Sequence, residues 1–338
     1  MHPGAFPPSE SMATPGRRKI LAAAVAFAGL AGTPALGARR HRIGFFSATT
    51  GGSPIYQGTL LGRLRDLGYR HEEHFVYRSF NAGVDLARLP LSARELIAWR
   101  PDLIVSNGAL ATAAAAAATR EIPIFGHVLD TRAEGYSVDG TVPARNVTGV
   151  TVDFVALWLK MIELAGRLLP GLRAVALIWP AGNPLLDAVL PTLAKASAKI
   201  GIGVLAKQCA TGAELRSEIA SLARRGAQAF SLVYSATLLP PEQVAEIALR
   251  QRVAWVDSEI DGPLVRSGAV LLGYGPVYGA PAVDLANQIQ RYFVGTPLEY
   301  IPFQMPVGYR LEVNRTTASR LGLKIPPDIE IRAHAIHD

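Results

Sequence analysis

The chain has a single cysteine, Cys209, in 338 residues. No disulfide can form within it, and no Cys-based metal site can be assembled from one thiol. Cys209 lies in the run 204–210, where a small buried hydrophobe is the ordinary reading of an isolated cysteine. Charged residues are also sparse, at 18% against 49% hydrophobic. That balance excludes intrinsic disorder and allows a sizeable buried core. The length fits about two domains of ordinary size.

Several chemical signatures are missing. There is no Gly-x-Ser-x-Gly nucleophile elbow and no phosphate-cradling Walker loop. The segment Gly273-Tyr-Gly-Pro-Val-Tyr-Gly279 only half matches a dinucleotide fingerprint, because Pro276 removes an N–H and the third glycine comes one residue late. His71 and His74 flank two glutamates in a turn without a third ligand, and His334 and His337 sit near the C-terminus. Neither pair supplies the three or four placed ligands a metal needs. No cofactor and no metal are expected. The net charge is +7, but the basic residues are scattered, with no basic helix face and no RNA-binding aromatic motif, so nucleic acid is not an expected partner.

What is present starts with an address. Arg17-Arg18-Lys19 precede an apolar run from Ile20 to Ala31 and the small-residue stretch Ala35-Leu36-Gly37-Ala38. A positive start, an apolar middle and a small-residue end are the parts of a cleavable export signal. The paired arginines also resemble a twin-arginine signal. The run is shorter than the ~20 residues of a comfortable membrane span. No cysteine follows it, so no lipid-anchored form is expected. Residues 1–38 are read as a signal peptide and the remainder as a soluble periplasmic monomer.

Past residue 40 short apolar runs alternate with amphipathic stretches. Strands are read at 42–47, 75–80, 102–106 and 123–128, with helices at 55–67, 86–99 and 109–120 between them. Strand–helix alternation calls for right-handed crossovers and a parallel sheet. The same grammar restarts after a junction near 146–152. A helix at 153–169 is followed by strands at 174–179, 204–208, 229–234 and 254–257 and by helices at 185–200, 213–225 and 241–250. Residues 268–338 do not form a third such unit: a strand at 268–274, a helix at 279–294, a strand at 305–314 and a short helix at 315–321.

The order of motifs resembles the ABC-transporter substrate-binding family that includes tryptophan- and related aromatic-amino-acid-binding lipoproteins. The carriers are R-I-G-F-F-S at 42–47, L-R-D-L-G-Y at 64–69, R-P-D-L-I-V-S-N-G at 100–108, I-P-I-F at 122–125 and N-V-T-G at 146–149. Further on come L-L-P-G-L-R-A-V-A-L-I-W at 168–179, G-Y-G-P at 273–276, G-T-P-L at 295–298, N-R-T-T-A-S-R-L-G-L-K-I-P-P at 314–327 and R-A-H-A-I at 332–336. The resemblance implies an α/β type-I periplasmic-binding fold, two doubly wound parallel-sheet lobes joined by a three-crossing hinge. The N-terminal lobe would comprise 39–150 plus 268–304, and the C-terminal lobe 151–267 plus 305–338. It further implies a small-molecule ligand and the membrane permease of an ABC importer as partners. The loop after the strand at 123–128 departs from the family's Gly/Asp-Pro-Val pattern: Asp130 is kept and Pro-Val is lost.

Ligands of open parallel sheets lie outside the carboxyl ends of the strands, where helix N-termini offer free N–H groups to a carboxylate. That rule selects Ser47, Thr49, Asn107, Gly108, Thr112, His127 and Asp130 from the first unit. From the second it selects Asn183, Tyr234, Ser235 and Asp257, with Tyr274 from the third section. Each has an alternative reading. Ser47, Thr49, Asn107 and Asn183 also suit caps and turns, and His127 a satisfied core position. Asp130 and Asp257 suit either caps or a ligand ammonium, and Tyr234 and Tyr274 either core or cleft wall. The expectation is a non-catalytic binding protein for an amino acid, an aromatic acid or a similar carboxylate. The alternative is a periplasmic enzyme or ligand-sensing module on the same scaffold.

Overall fold

The computed structural model describes residues 40–48, 54–83, 86–181, 185–233, 238–258, 263–277 and 279–338. Residues 1–38, read from the sequence as an export signal, lie outside them.

The first sheet is built from β1 (His41–Ser47), β2 (Phe75–Asn81), β3 (Leu103–Asn107), β4 (Ile124–Val128) and β5 (Val147–Thr151), in the order β2-β1-β3-β4-β5. Every pairing is parallel. The helices between them are α1 (Pro54–Asp66), α2 (Leu89–Ala98) and α3 (Ala109–Ala118). A parallel sheet must be covered on both faces, so its strands read as unbroken apolar runs. Here Ile43, Phe45, Leu103, Val105 and Phe125 pack one face against Leu60 and Leu64 of α1. Phe46, Ile104 and Ile124 pack the other against Ala93 and Leu96 of α2 and Ala111 and Ala115 of α3.

The second lobe opens with α4 (Phe154–Leu168), N-capped by Asp153, whose side chain accepts from the Ala156 N–H at 2.9 Å. Then come β6 (Ala174–Pro180), α5 (Leu185–Lys199), β7 (Gly203–Cys209), α6 (Gly212–Arg224), β8 (Ala229–Leu232), α7 (Pro241–Gln251), β9 (Ala254–Asp257), α8 (Pro263–Arg266) and β10 (Leu272–Pro276). After α9 (Ala280–Phe293), β11 (Tyr309–Asn314), α10 (Arg315–Arg320), α11 (Pro327–Arg332) and β12 (Ala335–His337) complete the order β12-β11-β10-β9-β8-β6-β7. Only the β10–β11 pair is antiparallel. Val175, Leu177 and Trp179 face α4 and α5, while Ala176 and Ile178 face α6 and α7.

The chain passes between the sheets three times: between β5 and α4, between β10 and α9, and between Gln304 and β11. α9 packs Ala282, Leu285, Ala286 and Ile289 into the core under α1. Gln304 bridges Val150 on the edge of β5. The α/β, two-sheet architecture expected from the sequence is therefore present.

Four boundaries differ from the sequence reading. The segment 268–276 does not return to the first lobe: β10 pairs with β9 and β11, and Val270, Leu271 and Leu272 are fully buried in the second lobe's core. The return begins after Pro276. The junction at 146–152 contains an unread strand, β5, which completes the first sheet. The strand read from 305 starts at Tyr309, because Met305 and Val307 are exposed in the crossing (60% and 82%) and make no ladder. The helix read from 86 begins as a short 3-10 turn at Leu86–Arg88 before α2.

Candidate functional site

A cavity of about 250 Å³ lies between the two lobes. Its first-lobe wall is Ala113 of α3 with Leu129, Asp130, Ala133, Glu134 and Tyr136 of the β4–β5 loop. Its second-lobe wall is Ala188 and Val189 of α5. A second cavity, of about 210 Å³, opens at the carboxyl ends of β1, β2 and β3, where Ser47, Gln57, Ser79, Asn81 and Asn107 supply polar groups and Phe45, Phe46, Tyr56, Phe80 and Val105 the apolar wall.

The β4–β5 loop is held by its own side chains. Asp130 Oδ1 accepts from the N–H groups of Arg132 (2.9 Å) and Ala133 (3.0 Å). Asp139 Oδ1 accepts from the N–H groups of Thr141 (2.7 Å) and Val142 (2.8 Å) and from the Ser137 hydroxyl (3.0 Å). These bonds hold the Asp139 carboxyl down to about 2. The Thr131 hydroxyl donates to the Gly140 carbonyl at 2.9 Å. Short polar side chains that bond to nearby backbone groups fix a loop without regular structure.

Glu134 sits inside this frame. Its Oε1 accepts from the N–H groups of Leu129 (2.8 Å) and Asp130 (3.0 Å). Its Oε2 is buried and has no partner. Burial pushes the carboxyl up to about 7 against the pull of the two backbone bonds, with the Asp130 charge adding to the rise. Tyr136 is buried beside it, with the Arg145 guanidinium 5.4 Å from its ring centre. Burial, and then the Glu134 charge, push the Tyr136 phenol up to about 12.

The sequence-selected residues divide. Ser47 and Asn107 line the first-lobe cavity, and Asp130 lines the interlobe one. Gly108 precedes α3 at φ 91°, a conformation that favours glycine. Thr112 does not reach a cavity: it is fully buried, with its hydroxyl donating to the Gly108 carbonyl at 3.1 Å and bonded to Ser106 Oγ at 2.8 Å. His127 Nε2 is bonded to the Tyr56 hydroxyl at 2.8 Å. Asp257 is 2% exposed and accepts from Trp255 Nε1 (2.9 Å) and the Ser258 N–H (2.7 Å). Tyr274 stacks on Tyr309 with ring centres 5.8 Å apart. Thr49, Asn183, Tyr234 and Ser235 lie outside the described residues. Cys209 is buried in the second lobe's core, and burial pushes its thiol up to about 11, the opposite of an activated nucleophile.

Sequence reasoning missed Glu134, Tyr136 and the α5 residues. One signal was readable for Glu134. Asp130 followed by Thr-Arg-Ala is a side-chain-capped turn, which occupies the aspartate and leaves Glu134 as the loop's open acid.

No curated protein sequence matches the chain. Among solved structures, a conserved domain protein from Vibrio cholerae superposes with a TM-score of 0.77 at 20% identity, covering 88% of this chain and 100% of its own. An ABC domain in complex with L-Trp from Streptococcus pneumonia gives 0.77 at 17% identity, with 88% and 100% covered. A solute binding protein from Agrobacterium vitis bound with alpha-D-tagatopyranose gives 0.59 at 14% identity, with 87% and 99% covered. At these identities the likeness is one of fold. The profile of the ABC transporter substrate binding proteins, however, matches residues 51–337, everything from α1 to β12 and all three crossings. The chain belongs to the ABC transporter substrate binding protein family.

Proposed function

We propose that this protein is the periplasmic capture component of an ABC importer. It takes an amino acid, an aromatic acid or a similar small carboxylate into the interlobe cavity and presents it to a membrane permease. The observation that carries this reading is the cavity itself, whose walls come from both lobes, so that an occupant contacts two bodies joined by a three-stranded hinge. A pocket of mostly apolar lining with a few placed polar groups suits a ligand with an apolar body and one or two polar ends. Ala113, Leu129, Ala133, Ala188 and Val189 form such a lining. A sugar carries hydroxyls around its ring and calls for more donors and acceptors than Asp130, Glu134 and Tyr136 provide. The L-Trp occupant of the Streptococcus relative supports the same side of the choice.

The function is binding without catalysis, and the chain acts as a soluble monomer after loss of residues 1–38. Among the described residues no helix is long and apolar enough to cross a membrane. The test is a thermal-shift screen of amino acids, aromatic acids and sugars on the purified protein. A ligand that binds the folded state raises the melting temperature as its concentration passes Kd. A broad screen in which no compound shifts the melt, together with hydrolytic activity in the same preparation, sinks the reading.

A further inference from the structure

The three crossings converge on α9 and on one of its side chains. Gln288 is 1% exposed, and its Nε2 donates to the Gly149 carbonyl at 3.1 Å and to the Pro302 carbonyl at 3.0 Å. Gly149 belongs to β5, which leads into the first crossing, and Pro302 lies just before Gln304, where the third begins. The second crossing ends at Gly279, the N-cap of α9 itself. Two carbonyl acceptors require the NH2 end of the amide to face them. The Oε1 of Gln288 is left buried without a partner. A buried amide with one end unpaired costs stability that an apolar side chain of the same shape does not. What Gln288 supplies instead is a position, because it holds carbonyls of two separate strands to one nitrogen.

Beyond Gln288 the links to the second lobe are short. In the first crossing the Thr151 N–H donates to the Gln304 carbonyl at 2.9 Å and the Val152 N–H to the Val128 carbonyl at 3.4 Å. The next residue, Asp153, already caps α4. The free link of this crossing is therefore Val152–Asp153. In the third crossing, Gln304 is still tied to β5, and the Gly308 carbonyl accepts from the Val277 N–H at 3.3 Å, next to the β10–β11 ladder. The free link is 305–307, where Met305 and Val307 are exposed. A rotation of one lobe against the other has only these two links and the one from Val277 to Gly279 in which to occur.

Resting on the two-lobed cleft reading above, we propose that Gln288 is the positioning residue of the hinge: by clasping β5 and the Pro302 strand to α9 it holds the first-lobe ends of all three crossings as one body, so that the lobes turn only about the short links beyond it. Gln288 touches no ligand. It keeps the swing in one direction, so that Ala113 and Leu129 on one lobe meet Ala188 and Val189 on the other in a fixed register. Without the clasp the crossings bend at Gly149 and Pro302 as well, and the lobes meet in many arrangements. A ligand fits few of them, and its affinity falls with the fraction of molecules that are competent.

The experiment is pulsed electron spin resonance on the full purified protein, dialysed free of ligand, with spin labels on Arg94→Cys of α2 and Lys199→Cys of α5. Both positions are exposed, and the native Cys209 is buried away from the label. A control pair, Arg65→Cys with Arg94→Cys, lies within the first lobe. With Gln288 in place the distances between lobes should fall into one or two sharp populations, each no wider than that of the control pair. The near-isosteric Gln288→Met removes both donated bonds and keeps the packing. It should broaden the interlobe distribution about twofold or more and leave the control pair unchanged. Ile289→Val, at the neighbouring buried position of the same helix, loses packing alone and should keep the interlobe distribution sharp. Gln288→Met with the wild-type distribution, or Ile289→Val broadening it as much, overturns the proposal. Either result leaves the cleft reading standing, since that reading is decided by the ligand screen on the unaltered protein. A broad continuum in the protein with Gln288 intact also overturns the proposal, so a Gln288→Met that fails to fold does not shelter it.

Discussion

The Tyr56 hydroxyl and His127 Nε2 lie 2.8 Å apart, with the two rings edge to face at 5.2 Å between centres. The pair ties α1 to β4, and Tyr56 is also a wall of the first-lobe cavity. Burial holds His127 down at about 4, so the imidazole is neutral over the physiological range. It therefore serves to position Tyr56 as a neutral hydrogen-bond partner, and it offers a ligand no charge.

His127 and Glu134 give opposite pH dependences to the stability of the ligand-free protein. For Glu134 the folded value is raised from 4.5 to about 7. As pH falls through that window the folded state takes up a proton before the unfolded chain does, and stability rises. For His127 the folded value is lowered from 6.5 to about 4. There the unfolded chain takes up the proton first, and stability falls. Between about 4.5 and 6.5 the two slopes oppose each other. Urea denaturation of the wild type should show a shallow profile there. Glu134→Gln should leave a stability that drops towards acid, and His127→Gln one that climbs. Variant profiles parallel to the wild type would remove both assignments.

Gly149 and Gly126 meet where β5 and β4 pair, and the two positions should respond differently to a methyl group. A Cβ on Gly149 would lie 2.1 Å from the Gly126 carbonyl oxygen, and its φ of +138° is already strained for an L side chain. A Cβ on Gly126 would meet side-chain oxygens, Ser106 Oγ at 2.2 Å and Thr112 Oγ1 at 2.5 Å, which have some freedom to turn. Overpacking that side chains can relieve costs about 1–3 kcal/mol. Gly126→Ala should fall in that range, and Gly149→Ala should exceed it because backbone has to move. Chemical denaturation of the two variants orders them, and equal costs would contradict the close approach of the strands.

Asp257→Ala should act on stability. It removes the acceptor of the buried Trp255 Nε1 and of the Ser258 N–H, at about 2–3 kcal/mol for hydrogen bonds to a charged, buried acceptor. The measurement is the urea midpoint, alongside the near-ultraviolet signal of Trp255. A variant as stable as wild type would contradict this structural role for Asp257.

The parts of the fold legible in the sequence are those where a local pattern and the final burial agree. Leu103–Ser106 and Val175–Trp179 read as strands because both faces of a parallel sheet are covered, which leaves an apolar run with no alternation. β5 was not legible, since Asn-Val-Thr-Gly-Val carries a glycine that propensity places in a turn. Its reason for being there is tertiary: β5 pairs so closely with β4 that a Cβ on Gly149 would lie 2.1 Å from the Gly126 carbonyl oxygen. Residues 268–276 misled for a related reason. The return to the first lobe is real, but it is made by α9, and nothing local distinguishes a strand that ends one lobe from a strand that begins another. Of the residues that the strand-end rule selected, Ser47 and Asn107 line the first-lobe cavity and Asp130 the interlobe one. The rule also chose Thr112, whose hydroxyl is consumed by Ser106 and the Gly108 carbonyl. Which polar groups are already satisfied is decided by how each loop folds back on itself: the partners of Thr112 and Glu134 lie only four to six residues away, but no repeating pattern in the sequence marks them.

Ligand binding should close the hinge. The cavity's two walls belong to different sheets, and the connections between them are short: β5 to α4, β10 to α9, and the stretch from Gln304 to β11. The first and third run side by side, since the Gln304 N–H donates to the Gly149 carbonyl and the Thr151 N–H to the Gln304 carbonyl, both at 2.9 Å. Paired strands of this kind bend together, and hinges of a few terminal residues are how two-lobed binding proteins close. An occupant that touches Ala188 and Val189 on one side and Leu129 and Glu134 on the other gains contacts only if the lobes approach, so the closed form is favoured by the difference in affinity between the two states. Small-angle scattering at saturating ligand should show a smaller radius of gyration than the dialysed protein. Because that approach brings the α5 wall onto the ligand, Ala188→Asp, at an exposed position of that wall, should weaken binding while leaving the radius of the ligand-free protein unchanged. Identical scattering with and without saturating ligand would show that the cavity binds without closure.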